Sequence, residues 1–267
     1  MDILNNVKLF LKRLLPPALV QYVRRYRYVT SVRDCWPEEM TIIQHLIDTG
    51  DKVIDIGANY GWFTGHFSRL VGQGGLVYSI EPVPSNFRIL SHVIKRLGKT
   101  NVKLLQYAVS NVSETVRMGI PKNSVGYTDF YQASILDSVI DFDSQAIVVE
   151  AKTLDSLIGD DSERISFIKC DVEGHELWCL LGAEKVILNS HPAWLIEVMS
   201  DPDDPVSNAY KVFELFRKEG YISFVYNNSG LQERKQGERK INYFFLQQSH
   251  IKRLISKKIS VITIKIL

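Results

Sequence analysis

From residue 36 onward, short apolar runs of strand length alternate with segments of helical period, and this alternation restricts the chain more than any other feature. "CWPEEMTIIQHLIDTGD" reads as a helix, with Pro37 in its first turn, Met40, Ile43, Leu46 and Ile47 on one face, and Gly50 at its end. "KVIDI" (52–56) is a short β-branched strand, and residues 60–71 read as a helix. "GLVYSI" (75–80) is a second strand, followed by a helix from Pro84 to Leu97. "NVKLLQYAV" (101–109) is a third strand, and "RISFIKC" (164–170) a fourth that leads into a helix from about Gly174 to Leu188. "AWLIEV" (193–198), a helix over 205–219, "YISFVY" (221–226) and "INYFFLQ" (241–247) close the series, the last two runs joined by a polar loop. The pattern predicts a doubly wound, mostly parallel seven-stranded sheet. The last two strands have no helix between them, which predicts an antiparallel edge strand.

Bulk composition narrows the field. The chain has 267 residues, 45% of them hydrophobic, enough for one large domain with its own core. A formal net charge of +2 gives no argument for nucleic acid as a partner. No apolar run approaches the roughly 18 residues of a membrane span. Cys35, Cys170 and Cys179 fall in no CxxC pattern, and no HExxH occurs, so neither a disulfide framework nor a structural zinc site is expected. A reducing, cytoplasmic setting fits this cysteine use.

Charge separates the ends from the middle. Residues 1–33 carry seven Lys and Arg against one acid, Asp2, and residues 251–267 carry five against none. The expected organisation is a basic amphipathic extension over 1–35, a main domain over 36–250 with an insert at about 111–160, and a basic, aliphatic tail over 251–267. The insert holds two strand-like pieces, "ETVRMGI" and "QAIVVEA", around a polar loop in which Tyr127, Phe130 and Tyr131 fit either a cover over an acceptor or a solvated loop. In the extension, Leu4, Val7, Leu11 and Leu14 recur at helical spacing beside Lys8, Lys12 and Arg13. Such a helix suits peripheral contact with an anionic membrane or packing on the domain or on a second copy of the chain; packing is the favoured reading. The tail ends in "SVITIKIL", which suits an edge strand or a disordered end.

The first strand opens directly into "DIGANYG". In a sheet of this kind ligands sit at the carboxyl ends of central strands. Gly57 and Gly61 allow a tight turn and close approach to a ligand, and the following helix offers unpaired N–H groups. A phosphate loop does not fit: "LGKT" (97–100) would need its first glycine at Val93, and it follows a helix. The dinucleotide fingerprint fails where Asn59 stands in place of the second glycine, the residue a pyrophosphate approaches most closely. What remains is Asp55-x-Gly57-x-Asn59-x-Gly61. An acid there repels phosphate and favours a cation, and S-adenosylmethionine carries a sulfonium and an ammonium with no phosphate. Glu81 ends the second strand 24 residues after Gly57, where a carboxylate bonds ribose hydroxyls. A plain packing turn is the competing reading of the glycines.

The fourth strand delivers "DVEGHE". Asp171 and Glu173, one residue apart beside a nucleotide loop, are costly unless they meet a cation, a metal or a proton to be moved. The alternative is that both cap the following helix.

Taken together, "VIDIGANYGWFT", "IEPVPSNF", "NVKLLQYAVS", "KTLDSLI", "FIKCDVEGHELWCLLGAEKVI" and "LIEV" resemble the FkbM-family methyltransferases over roughly 50–200. The resemblance implies a Rossmann-like class I methyltransferase fold and S-adenosylmethionine as cofactor. It implies that Asp55, Gly57, Ala58, Asn59 and Gly61 hold the methionine end, Glu81 with Pro82 the ribose, and Tyr107, Ala108 and Val109 the adenine, with Asp171 near the reactive methyl. The implied reaction is O-methylation of a small-molecule or glycan acceptor by in-line displacement, with Asp171, then Glu173 and His175, as catalytic candidates. Glu197, ending the fifth strand, is a further one. No resident metal is expected; a divalent ion on Asp171, Glu173 and Glu197 is the alternative. Two other classes compete: an inactive nucleotide-binding homologue acting through partners, and a nicotinamide-dependent oxidoreductase, for which the Tyr-x-x-x-Lys pair is missing.

Overall fold

The computed structural model describes residues 38–120, 134–135, 145–163, 165–227 and 230–263. The expected extension over 1–35, Pro37, and the loop bearing Tyr127, Phe130 and Tyr131 lie outside the described residues. The elements run α1 (Met40–Ile43), β1 (Lys52–Ile56), α2 (Trp62–Val71), β2 (Leu76–Ile80), α3 (Pro84–Arg96), β3 (Val102–Leu105) and β4 (Ala108–Val109). The insert supplies β5 (Glu114–Ile120), β6 (Ser134–Ile135) and β7 (Gln145–Lys152), followed by α4 (Leu154–Ile158) and a 3-10 turn over Gly159–Glu163. Then come β8 (Ile165–Cys170), α5 (Glu176–Leu181), α6 (Glu184–Ser190), β9 (Ala193–Glu197) and α7 (Asn208–Lys218). The chain closes with β10 (Ile222–Asn227), β11 (Gly230–Glu233), β12 (Asn242–Leu246), α8 (Gln248–Ser256) and β13 (Val261–Ile262).

The expected mostly parallel, doubly wound sheet is present, and all seven anticipated runs contribute a strand to it. Its order is β13-β11-β10-β12-β9-β8-β1-β2-β3, nine strands rather than seven. The two extra strands come from segments read as loop and tail: β11 folds back on β10, and β13 runs parallel to β11. The supposed polar loop is ordered by a two-pronged ion pair, in which Arg234 donates to Asp203 Oδ1 at 3.0 Å and Oδ2 at 2.6 Å. Of the last two anticipated strands, β12 is the antiparallel one and it is not at the edge, which is taken by β13, running in the same sense as β11. β12 is inserted between β9 and β10 and runs antiparallel to both.

Alternate residues feed two cores. Val53, Val77, Phe167 and Leu195 point to the side covered by α1, α2 and α8, meeting Met40, Ile43, Phe67, Val71, Ile251 and Leu254. Ile54, Ile56, Tyr78, Ile80, Ile168 and Trp194 face the other side, meeting Leu180, Val186, Ile187, Val212 and Phe216 of α5, α6 and α7. The tail helix α8 is therefore part of the domain's packing. Among the described residues no helix is long and apolar enough to cross a membrane.

Three elements depart from expectation for local reasons. The third run divides: β3 stays in the large sheet, whereas β4 pairs in parallel with β7 in a separate four-stranded sheet, β4-β7-β5-β6. The helix expected over 36–50 is α-helical only across Met40–Ile43 and continues as turns. The helix expected from Gly174 to Leu188 breaks between α5 and α6 at Gly182 and Ala183. Gly182 packs so tightly on the Ser110 backbone that an added Cβ would lie 2.0 Å from the Ser110 carbonyl oxygen. Asp155 then caps the second piece, accepting from Lys185 N at 3.0 Å and Val186 N at 3.1 Å.

A Gly182→Ala substitution should lower stability by about 1–3 kcal/mol, because the obstructing atom is backbone and cannot swing away. Gly74→Ala meets nothing within 4 Å and should stay within about 0.5 kcal/mol of the parent. Urea midpoints of the two variants check the contrast.

Candidate functional site

The strand order reverses at β1, whose neighbours are β8 and β2, and the site lies at the carboxyl ends of these three strands. The turn after β1 is held by the end of β2: Gly57 N and Ala58 N both donate to the Ile80 carbonyl at 3.0 Å. Gly57 has φ +73°, and a Cβ there would sit 1.8 Å from the Asp171 carbonyl oxygen. Gly61, at φ +88°, would place a Cβ 2.6 Å from Leu90 of α3. These glycines are bare in part so that the ends of β1 and β8 can touch and α3 can pack close, a packing reason that sequence reading did not supply, and Gly57 also lines the cleft.

The cleft above the turn holds about 740 Å3 of empty space, part of it open to solvent. Of the residues expected from sequence, Gly57, Asn59, Glu81, Pro82, Tyr107, Ala108, Val109, Asp171, Glu173 and His175 line it. Asp55, Ala58 and Gly61 are not on its wall. Ala58 is packed with Leu90 and Ile94, and Asp55 is only 1% exposed beneath the turn. Residues that sequence reading missed complete the wall: Val83, Asn86, Val172, and Met118 and Ile135 from the insert's sheet. The insert thus contributes an apolar side to the same cleft.

Glu81 is buried at 4% exposure. Its Oε2 accepts from Asn59 N at 2.8 Å, and its Oε1 from Val83 N at 2.9 Å. Burial pushes its carboxyl up to about 7, against these hydrogen bonds. Beside it, Asn59 (φ +50°) keeps its side-chain oxygen buried with no hydrogen-bond partner among the described residues.

On the other wall, neither Asp171 nor Glu173 caps α5. The N-cap of α5, His175, makes no side-chain cap bond, and Glu176, which sequence reading left without a role, closes the preceding turn: its Oε1 accepts from Gly174 N at 2.9 Å and Val172 N at 3.4 Å. Asp171 Oδ2 instead accepts from Lys169 Nζ at 2.9 Å. Glu173 sits at φ +54°, a left-handed conformation unusual for a glutamate. Burial, then the charges of Asp171, Glu197 and Glu176, push its carboxyl up to about 7. Burial likewise raises Glu197, with Asp171 adding to it. His175 is 8% exposed, with Nε2 3.0 Å from Ser110 Oγ and its ring stacked on Trp178 at 4.7 Å. It is a fixed ring within the wall rather than a helix-surface histidine. Among the described residues no group of three His, Cys, Asp or Glu side chains is arranged to hold a metal ion.

The chain matches the family model described as Methyltransferase FkbM domain over residues 55–223. It is 38% identical over 56 residues to a protein-L-isoaspartate O-methyltransferase of Methanococcus aeolicus, covering 21% of this chain and 26% of that protein. The enzyme of the same description from Methanocella arvoryzae is 33% identical over 70 residues, covering 26% of this chain and 37% of that one. The chain therefore spans about a quarter to a third of the length of these curated relatives. A crystal structure of a methyltransferase FkbM from Methylobacillus flagellatus aligns with a TM-score of 0.48 at 19% identity, over 73% of this chain and 43% of that one.

Glu81 and Glu173 both hold protons more tightly folded than unfolded, so each stabilises the ligand-free protein below its ordinary value near 4.5, and that contribution is lost as pH rises through about 7. Unfolding free energy should therefore decline between about pH 5 and pH 8. Glu81→Gln should flatten much of the decline, as denaturant titrations at successive pH values would show.

Proposed function

The chain belongs to the FkbM-domain methyltransferases, and on that premise we propose that it methylates a hydroxyl group of a sugar, glycan or other natural-product acceptor, with S-adenosylmethionine as donor. The observation that carries the reading is the pairing at one cleft of Glu81, a buried carboxylate ending β2, with Asn59, whose orphaned buried oxygen lacks a donor. An adenosyl amino acid supplies an ammonium donor for the Asn59 oxygen, and ribose hydroxyls that Glu81 could accept beside the N–H groups it already holds. These residues fit the donor.

When bound, the donor supplies a methyl group already activated by its positive sulfur. The protein's share is alignment and removal of water. Glu81 would hold the ribose, Asn59 the ammonium, and Tyr107, Ala108 and Val109 the flat base, with Met118 and Ile135 closing an apolar side against solvent. Asp171 is engaged by Lys169 and would orient the acceptor hydroxyl. Glu173, half-buried with its carboxyl near 7 and bound to no helix end, is better placed to take the proton, since a base works best near the operating pH. His175, held by Ser110 and Trp178, shapes the wall. Among the described residues Cys170 and Cys179 are free, buried thiols.

Calorimetry should find binding of S-adenosylhomocysteine and none of NADH. Glu81→Ala should weaken that binding about ten- to hundred-fold; undiminished affinity would remove the assignment. A screen of hydroxylated acceptors with isotope-labelled methyl donor tests transfer itself. With an accepted substrate, the rate should rise as pH passes about 7, and Glu173→Gln should abolish that rise and slow turnover by about 10²–10⁴-fold.

A further inference from the structure

β8 is a central strand, and Lys169 lies within it, 7% exposed. A lysine so deeply placed must be paired or it would shed its proton. In the parallel register Lys169 stands directly opposite Asp55 of β1. Asp171, two residues on, projects from the same face of the chain. The ammonium is 2.9 Å from Asp171 Oδ2 and 4.0 Å from Asp55 Oδ1, and it lies 5.1 Å from the centre of the Phe63 ring on α2. Asp55 Oδ2 is taken by the Thr64 hydroxyl at 2.6 Å, while Oδ1 has no hydrogen-bond partner among the described residues. One buried cation thus serves two carboxylates, one beneath the glycine turn and one on the cleft wall.

We propose that Lys169 is a positioning residue: its ammonium ties Asp55 to Asp171 and so fixes the Asp171 carboxylate on the cleft wall in the orientation that the methyl donor and acceptor meet. The inference rests on the methyltransferase reading and adds to it a residue that touches neither ligand. Asp55 acts at one remove through Lys169, which explains how an acid sealed under the turn bears on the cleft.

Charge balance at the clamp is set from every side. Asp55 faces it from β1, Asp171 and Cys170 from the end of β8, and Glu173 and Glu197 from the turn after β8 and the end of β9, both within reach of the Lys169 charge. Burial works against the ammonium, but Asp171 and Asp55 outweigh it and keep it charged. Burial raises the Asp55 carboxyl, and Lys169 is the largest pull in the other direction. Without Lys169, Asp55 would be raised further, so the variant's deficit is small at low pH and grows as pH rises and the Asp55 carboxyl ionises without its counter-charge.

Four proteins test this: wild type, Lys169→Met, Asp55→Asn, and the double variant. The double variant keeps the volume and removes one charge of each sign, which guards against a single variant that simply fails to fold. Denaturant stability should fall in Lys169→Met, with a loss at pH 9 roughly twice that at pH 6 or more, and Asp55→Asn in the same chain should restore most of it. In the restored double variant, affinity for S-adenosylhomocysteine should remain about ten-fold or more below wild type, because Asp171 is no longer held. A loss that is the same at every pH, or not relieved by Asp55→Asn, overturns the clamp and leaves Lys169 a packing residue. Wild-type affinity in the folded double variant overturns the positioning role. Wild-type protein that binds no S-adenosylhomocysteine sinks the methyltransferase reading instead, a result separate from the stability measurements made without ligand.

Discussion

No side chain fits between the Gly57 Cα and the Asp171 carbonyl, and the rest of the site is arranged around that contact. It pins the carboxyl ends of β1 and β8 together where the sheet changes direction. The Asp171 N–H donates to the Ile56 carbonyl at 3.2 Å, so one strand's last residue is set by the other's. Above the contact, the two turns diverge and leave the cleft. Below it, the same closeness lets a single lysine on β8 reach an aspartate on β1. A wider spacing would lose the cleft's floor and the ion pair beneath it together.

In and around the cleft stand carboxylates whose charge is discouraged. Glu81, Glu173, Glu176 and Glu197 are all raised chiefly by burial. Three of them differ in what holds them. Glu176 closes a turn with backbone donors, Glu81 holds the two N–H groups that flank the cleft, and Glu173 is held in a strained backbone state with no such partner. Two carboxyls with similar proton affinity thus arise in unlike surroundings, one locked by its neighbours and one left available for chemistry.

The period of apolar residues made the large sheet legible, since strands buried on both faces read as continuous β-branched runs and their helices as amphipathic ones. Local chemistry also exposed Asn59, Glu81, Asp171 and Glu173, because acids at strand ends beside a glycine turn are unusual. What did not show was whatever depends on long-range register. The glycines of the turn were read for a tight bend and close approach to a ligand, and their packing against Asp171 and Leu90, which lie far along the chain, did not show. Lys169 hid inside an apolar strand as an ordinary polar residue; a lone lysine in a run otherwise fit for a core was the available signal. Met118 and Ile135 reach the cleft only because the insert makes its own sheet beside β4, a pairing that no local pattern specifies. The position of β12 was missed for the same reason: absence of a connecting helix implies an antiparallel partner but not which gap that partner fills.

That position has a consequence for how the molecule is made. A ribosome delivers β9 and β10 before β12, yet β12 is the wedge that separates them in the finished sheet. The edge of β9, with Ala193, Trp194, Leu195 and Ile196 all buried in the end state, must therefore wait bare, or pair wrongly with β10, until residue 246 has left the exit tunnel. Closure of this sheet is tied to delivery of β12, and a ribosome stalled short of that point would display a sticky, half-built margin.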